Sequence, residues 1–256
     1  MDSSTQKVIE DILKGCTGDI ERHRRYLTRT CWRVEGDFAF LRRALPHPGS
    51  VLDVGAVPPM LAGLMSHAGL ARPAVVDPEV DEFAAFFQRS GMEFFRGDLL
   101  SGDRIALPGQ YDLVCLCEVV EHLTGDILSA LETVSKWVRP EGYFYVTTPN
   151  LRSITGMVAL FLRNSGLASK SRETVRKQYE RARGPCGYYG HIREYTTKEV
   201  VDLIESLGFR HVESCFQVHP RAETAGARLI QLVEWTLPSF RLFGKHLFRK
   251  NFNPKK

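Results

Sequence analysis

The chain has 256 residues, 43% of them apolar, with a net charge of +4, a size that supports one full hydrophobic core with decorations. No apolar run approaches the roughly 20 residues needed to span a bilayer, and Met1-Asp2-Ser3-Ser4 lacks the order of a secretory signal, so a cytoplasmic protein is expected. The small net charge gives no ground for a nucleic-acid partner, and six cysteines without any Cys-x-x-Cys pair support neither a zinc ribbon nor a disulfide scaffold.

Residues 5–46 read as two or three amphipathic helices. Val8, Ile9, Ile12 and Leu13 form one apolar stripe, and Phe38, Phe40, Leu41 and Leu45 another. Residues 1–47 are thus expected to be a helical extension preceding a domain over residues 48–256. The Arg-rich stretch from Asp19 to Arg33, with Tyr26 and Trp32, reads as a solvated helical face.

Ser50 to Pro59 then runs from a β-branched strand into a tight turn and a helix beginning near Pro58. Gly55 sits where a ligand can approach bare backbone, and Asp53 places a carboxylate at the carboxyl end of the strand. A pyrophosphate would need Gly-x-Gly-x-x-Gly or a Gly-rich loop ending in Gly-Lys-Ser/Thr, whose N–H groups cradle phosphate oxygens. Val57 fills one glycine position, and Pro58 and Pro59 have no N–H to offer. A ligand with an amino acid and a nucleoside but no phosphate loses nothing by this, which points to S-adenosylmethionine rather than NAD.

Pro73 to Asp77 is a second strand ending in an acid about 20 residues past the glycine turn, the position from which such folds hydrogen-bond ribose. Asp77 is the expected ribose clamp. A helix from Val80 to Arg89 leads to a third strand, Met92 to Leu99, where Asp98 can accept from an adenine amine and Leu99 can stack on the base. Tyr111 to Cys117 is a near-continuous apolar strand, as a buried parallel strand requires, and it delivers Glu118, Glu121 and His122 at its carboxyl end. A helix from Asp126 to Val138, a turn at Arg139 to Gly142 and a strand from Tyr143 to Asn150 follow.

The series Leu-Asp-Val-Gly (52–55), Val-Val-Asp (75–77), Gly-Asp-Leu (97–99), Tyr-Asp-Leu-Val (111–114), Glu-Val-Val-Glu-His-Leu (118–123), Arg-Pro-Glu-Gly (139–142) and Thr-Thr-Pro-Asn (147–150) resembles class I S-adenosylmethionine-dependent methyltransferases. The resemblance covers roughly residues 48–218 and is nearest to the small-molecule group that includes the ubiquinone-biosynthesis O-methyltransferases. It departs from them at Val57 and Pro59, where glycines are usual. It implies a Rossmann-like, doubly wound α/β fold with a seven-stranded, mostly parallel sheet and an antiparallel edge strand. It also implies cofactor contacts at Asp53, Gly55, Ala56, Asp77, Pro78, Asp98, Leu99, Cys117 and Glu118.

Residues 151–195 leave the minimal fold as a helical lid insertion over the carboxyl edge of the sheet, the natural substrate selector. The lid holds a basic helix from Lys170 to Arg183 and a Gly-punctuated loop carrying Tyr188 and Tyr189. Arg181, Arg183 and Arg193, with Arg176 and Lys177, suit an anionic acceptor, such as a glycan, a nucleotide sugar or a lipid-linked precursor. The block His191 to Thr196 also recurs in this methyltransferase group. Thr196 with Glu199 forms a capping box for a helix from Thr197 to Leu207, and a strand from Phe209 to Val218 follows. A helix within Ala222 to Phe240 and a last, antiparallel edge strand over Leu242 to Arg249 complete the chain; the basic tail with exposed aromatics is a candidate for peripheral membrane contact.

Methyl transfer to a hydroxyl needs the nucleophile aligned with the methyl carbon and a base for its proton. His122 and His191 are the candidate bases. Glu118, Glu121, His122 and His191 together offer two carboxylates and two imidazoles to a divalent ion, which would lower the pKa of acceptor hydroxyls. Some relatives use a Glu-x-x-Glu-His block this way; in others the glutamates serve a helix N-terminus. An amine acceptor and a non-catalytic methyltransferase-like subunit remain alternatives. An NAD-type oxidoreductase is disfavoured, since no tyrosine has a lysine four residues on.

Overall fold

The computed structural model of the chain describes residues 2–100, 105–163, 165–166, 176, 180, 190–218 and 225–251. It opens with α1 (Ser3–Lys14) and α2 (Ile20–Ala44). Each begins at an aspartate that satisfies an orphan amide of the first turn: Asp2 accepts from Thr5 N at 2.7 Å, and Asp19 from Arg22 N at 2.9 Å. Strand and helix then alternate through β1 (Val51–Val54), α3 (Met60–His67), β2 (Ala74–Asp77), α4 (Ala84–Ser90), β3 (Phe94–Arg96), β4 (Tyr111–Cys117), α5 (Ile127–Trp137) and β5 (Val138–Pro149). The chain continues with α6 (Ile154–Arg163), α7 (Thr197–Ser206), β6 (Phe209–Gln217), α8 (Ala225–Thr236) and β7 (Phe243–Lys250).

The seven strands form one sheet in the order β3-β2-β1-β4-β5-β7-β6. β1 runs parallel to β2 and β4, and β2 parallel to β3, while β7 is antiparallel to β6. The strand order reverses between β1 and β4, which is the switch point where open α/β sheets bind ligands outside their strand ends. The doubly wound sheet is therefore the one expected. Its last strand differs in position: β7 lies between β5 and β6, and β6 forms the rim. The reason is visible along β7, where Gly244 to Phe248 are all buried, the pattern of a strand covered on both faces rather than of a rim strand.

Boundaries shift for identifiable reasons. The helix expected from Pro58 begins at Met60, because Met60 N donates to Pro58 O at 2.8 Å and Gly63 N to Pro59 O at 2.9 Å. The helix expected over Val80 to Arg89 is a 3₁₀ turn (Val80–Phe83) followed by α4.

Contacts divide the chain into two compact units, Met1–Leu116 with Lys136–Phe144, and Cys117–Ser135 with Tyr145–Lys256. In the first, Val8, Ile9, Ile12 and Leu13 of α1, Leu27 and Cys31 of α2, Met60 and Leu64 of α3, and Phe86 and Phe87 of α4 share one core. Each large side chain there is worth about 1.5–3 kcal/mol of burial. A Cβ on Gly63 would stand 2.7 Å from Val8 Cγ1, so the glycine is what lets α1 and α3 meet. His23 Nε2 and Glu82 Oε2, 2.9 Å apart, and Thr17 N, donating to Glu82 O at 2.9 Å, tie the N-terminal helices to the 3₁₀ turn after β2. In the second unit Tyr145, Val146, Val200, Ile204, Leu247 and Phe248 are buried. There α7 has the expected capping box, Thr196 N donating to Glu199 Oε2 at 2.8 Å and Glu199 N to Thr196 Oγ1 at 3.3 Å.

Candidate active site

The first unit carries the glycine turn. Gly55 adopts φ +67°, a conformation that suits glycine, and donates its N–H to Val76 O at 2.8 Å. Asp77, at the end of β2, is buried; its Oδ2 accepts from Val57 N at 3.2 Å and its Oδ1 from Glu79 N at 2.8 Å. The expected ribose clamp is thus also the acid that fixes the turn, keeping lone pairs on both oxygens for a ligand. Burial pushes its carboxyl up to about 7, against the two amides, with the charges of Glu79 and Asp98 adding to the rise.

Asp53, buried in β1, is likewise pushed up to about 7 by burial, opposed by a hydrogen bond from the Ala62 amide and reinforced by the charges of Asp37 and Asp77. Asp37 of α2 is a third buried acid here, and sequence reasoning missed it. The signal was present: Asp37 lies on the apolar stripe of Val34, Phe38 and Leu41, where an acid has no business unless something polar meets it. Asp98 accepts from Leu100 N at 2.9 Å within its own turn. Ala56 and Leu99 are half-buried, and Pro78 is exposed. Three buried carboxylates beside a turn without phosphate donors fit a cationic, phosphate-free ligand, which would favour the ionised forms of Asp53 and Asp77.

The second unit carries the other candidates. Cys117, half-buried, ends β4. Glu118 follows in the left-handed region, φ +57°, its N–H donating to Thr147 O at 2.9 Å. That conformation costs a side-chain-bearing residue about 1 kcal/mol.

In the 3₁₀ turn Val120–His122, Glu121 is fully buried. Its Oε2 accepts from Thr148 Oγ1 at 3.0 Å, and its main-chain oxygen from Ile192 N at 2.7 Å. Its Oε1 has no hydrogen-bond partner among the described residues and lies 4.0 Å from Nε2 of both His122 and His191. His122 Nδ1 donates to Gly190 O at 2.8 Å, and His191 Nδ1 pairs with Glu194 Oε1 at 2.7 Å. With Nδ1 so engaged, each ring presents its Nε2 to Glu121.

Three titratable side chains thus converge. Burial, aided by the Glu118 charge, pushes the Glu121 carboxyl up to about 8, with His191 opposing. For His191, burial acts downward but is outweighed by the Glu194 hydrogen bond and the charges of Glu121, Glu194 and Glu118, which raise it. The Glu121–His191 pair thus holds on to a proton near neutrality. Ligand atoms of Glu121, His122 and His191 all lie within 4.8 Å of one another, a donor set that fits a divalent ion. Glu118 stands outside that group, so of the four expected ligands three come together.

Cys16, His23 and Glu82 meet the same distance criterion. There, however, the imidazole and carboxylate are already joined by a hydrogen bond.

Of the expected acceptor anchors, Arg193 donates to Glu199 Oε1 at 2.7 Å and stacks over the Tyr195 ring at 5.0 Å. Arg176 pairs with Glu180 at 2.6 Å. Lys177, Arg181, Arg183, Tyr188 and Tyr189 lie outside the described residues. Thr148 and Glu194, which hold Glu121 and His191 in place, were not singled out from sequence, although both sit in the motifs Thr-Thr-Pro-Asn and His-Ile-Arg-Glu-Tyr.

No curated protein matches the chain. An N-methyltransferase from Bradyrhizobium japonicum, solved with S-adenosyl-L-homocysteine, superposes with a TM-score of 0.55 at 15% identity, over 99% of this chain and 100% of that one. A magnesium protoporphyrin IX methyltransferase from Synechocystis, also with bound S-adenosylhomocysteine, gives 0.54 at 12%, over 97% and 95%. A methyltransferase from Archaeoglobus fulgidus gives 0.54 at 19%, over 88% and 99%. At these identities the likeness is one of fold. Residues 22–214, well over half the chain, match the family model described as a methyltransferase domain, and the chain accordingly belongs to that family, among the class I S-adenosylmethionine-dependent methyltransferases.

Proposed function

We propose that the enzyme methylates a hydroxyl group of a small-molecule or glycan acceptor, with Glu121, His122 and His191 receiving the hydroxyl proton. The observation that carries this is the buried Glu121 Oε1, without a hydrogen-bond partner among the described residues and 4.0 Å from two imidazole nitrogens. When bound, the cofactor supplies an electrophilic methyl group on a neutral leaving group. The chain is left to align the acceptor and to remove its proton. A neutral amine attacks through a lone pair it already has, whereas a hydroxyl gains most from a base placed beforehand. Thr148, Gly190 and Glu194 hold the cluster in the orientation that keeps its lone pairs together.

Paired acceptors that differ only in bearing a hydroxyl or an amine test this directly. The hydroxyl member should be methylated, and Glu121→Gln should slow it about a hundredfold or more without weakening S-adenosylhomocysteine binding. Methylation of the amine at the same rate by wild type and Glu121→Gln would overturn it.

The same three converging atoms favour one second reading, in which a divalent cation is held by Glu121, His122 and His191, with Gly190 and Glu194 as outer support. Its chemistry would be to bind the acceptor oxygen and lower its pKa. Titration of the purified protein with Mg²⁺, Mn²⁺ or Zn²⁺ separates the two. Heat and a rate gain, both lost in His191→Ala, support the ion; neither heat nor rate change removes it and leaves the proton acceptor.

A further inference from the structure

In the second unit α6 packs against α8, and Thr155 Oγ1 lies 3.5 Å from Glu234 Oε1 between them. Outside that contact the pair is unusually apolar. Phe161 and Leu162 at the end of α6 are 77% and 80% exposed, and Leu229, Leu232 and Trp235 of α8 are 64%, 64% and 67% exposed. Scattered exposed leucines are ordinary, but five large side chains on two touching helices form a patch that water disfavours.

The form and charge of the patch select its occupant. Leu160, Phe161 and Leu162 are consecutive and all exposed, so their side chains leave the helix about 100° apart. The three adjacent directions on α6 are surrounded easily by a fluid hydrocarbon phase, and Leu229, Leu232 and Trp235 add a stripe spaced by three along α8. Trp235 and Phe161 are also the side chain types that anchor at membrane interfaces. The helix pair exposes no carboxylate. α6 has none, and Glu234, the one acid of α8, is 3% exposed. Arg228 is exposed on α8. That balance complements anionic headgroups.

We propose that the exposed ends of α6 and α8 seat this protein on the surface of an anionic phospholipid bilayer, as a peripheral contact. No helix among the described residues is long and apolar enough to cross a membrane, and the contact requires none. The inference is independent of which acceptor is methylated.

Flotation of the full-length protein with phosphatidylcholine vesicles, with and without phosphatidylglycerol, tests it. The protein should float with the phosphatidylglycerol vesicles, less so at high salt. Phe161→Ser with Trp235→Ser should reduce partition about a hundredfold, roughly tenfold for each anchor. Leu162→Ser with Leu229→Ser provides a second pair should the first fold poorly, and an unchanged circular dichroism melt certifies either. Absence of flotation with either vesicle, or undiminished flotation of a folded double variant, would overturn the proposal. So would a wild-type dimer in sedimentation that the same substitutions abolish, without vesicle binding, since the patch would then belong to a second copy of the chain.

Discussion

The two units bury acids under opposite terms. In the first, Asp53 and Asp77 are met by backbone amides, from Ala62 for one and from Val57 and Glu79 for the other. In the second, one Glu121 oxygen accepts from the Thr148 hydroxyl, and the other faces two imidazole nitrogens. An acid supported by main-chain N–H groups is fixed in place and suits holding a ligand. An acid facing two imidazoles shares a proton with them and suits chemistry. On the proposed function, position and reactivity fall to different parts of the chain.

Substitutions should divide the same way. The largest effect is expected from Glu121→Gln, a loss of about a hundredfold or more in kcat with S-adenosylhomocysteine affinity within about twofold of wild type by calorimetry. A comparable loss of affinity would erase the distinction between the units.

Next is Asp53→Asn. The folded-state pKa of Asp53 is raised from 3.8 to about 7, so its contribution to stability is complete below the unfolded value and is lost as pH rises through about 7. Asparagine does not titrate. The variant should therefore gain on wild type between pH 4 and pH 8 by on the order of a few kcal/mol, read from denaturant unfolding. A difference independent of pH would show that burial does not tune this acid.

The cradle of acids sharpens the comparison further. A cationic ligand that draws protons off Asp53 and Asp77 should bind more tightly as pH rises, by about tenfold between pH 6 and pH 8 for one proton released. Calorimetry of S-adenosylmethionine in buffers of different ionisation enthalpy counts that proton, and S-adenosylhomocysteine, which lacks the sulfonium charge, should show the smaller pH dependence. The smallest effect is expected at Thr196→Ala, about 1 kcal/mol of stability from the lost cap, with methyl transfer unchanged.

What could be read from sequence followed the range of the interactions. The alternation of strands and helices, the acid ending β2 and the Thr196–Glu199 box are local patterns, and each is found where its spacing put it. Asp53 bonding to Ala62, Thr148 to Glu121 and His122 to Gly190 depend on residues brought together by folding, up to 68 positions apart. The place of β7 inside the sheet is of that kind too, since alternation within one strand does not name its neighbours. Asp37 is intermediate: an acid on an apolar stripe was visible, but the buried acids it joins were not.

The backbone at Glu118 carries one more consequence. A position with φ +57° is one that glycine would occupy without steric objection, so Glu118→Gly relaxes the end of β4 and raises the melting temperature, provided the chain does not depend on the carboxylate there. A protein that instead places an acid in this corner sits below its attainable thermal tolerance, and directed selection for heat resistance alone would be expected to find residue 118 early.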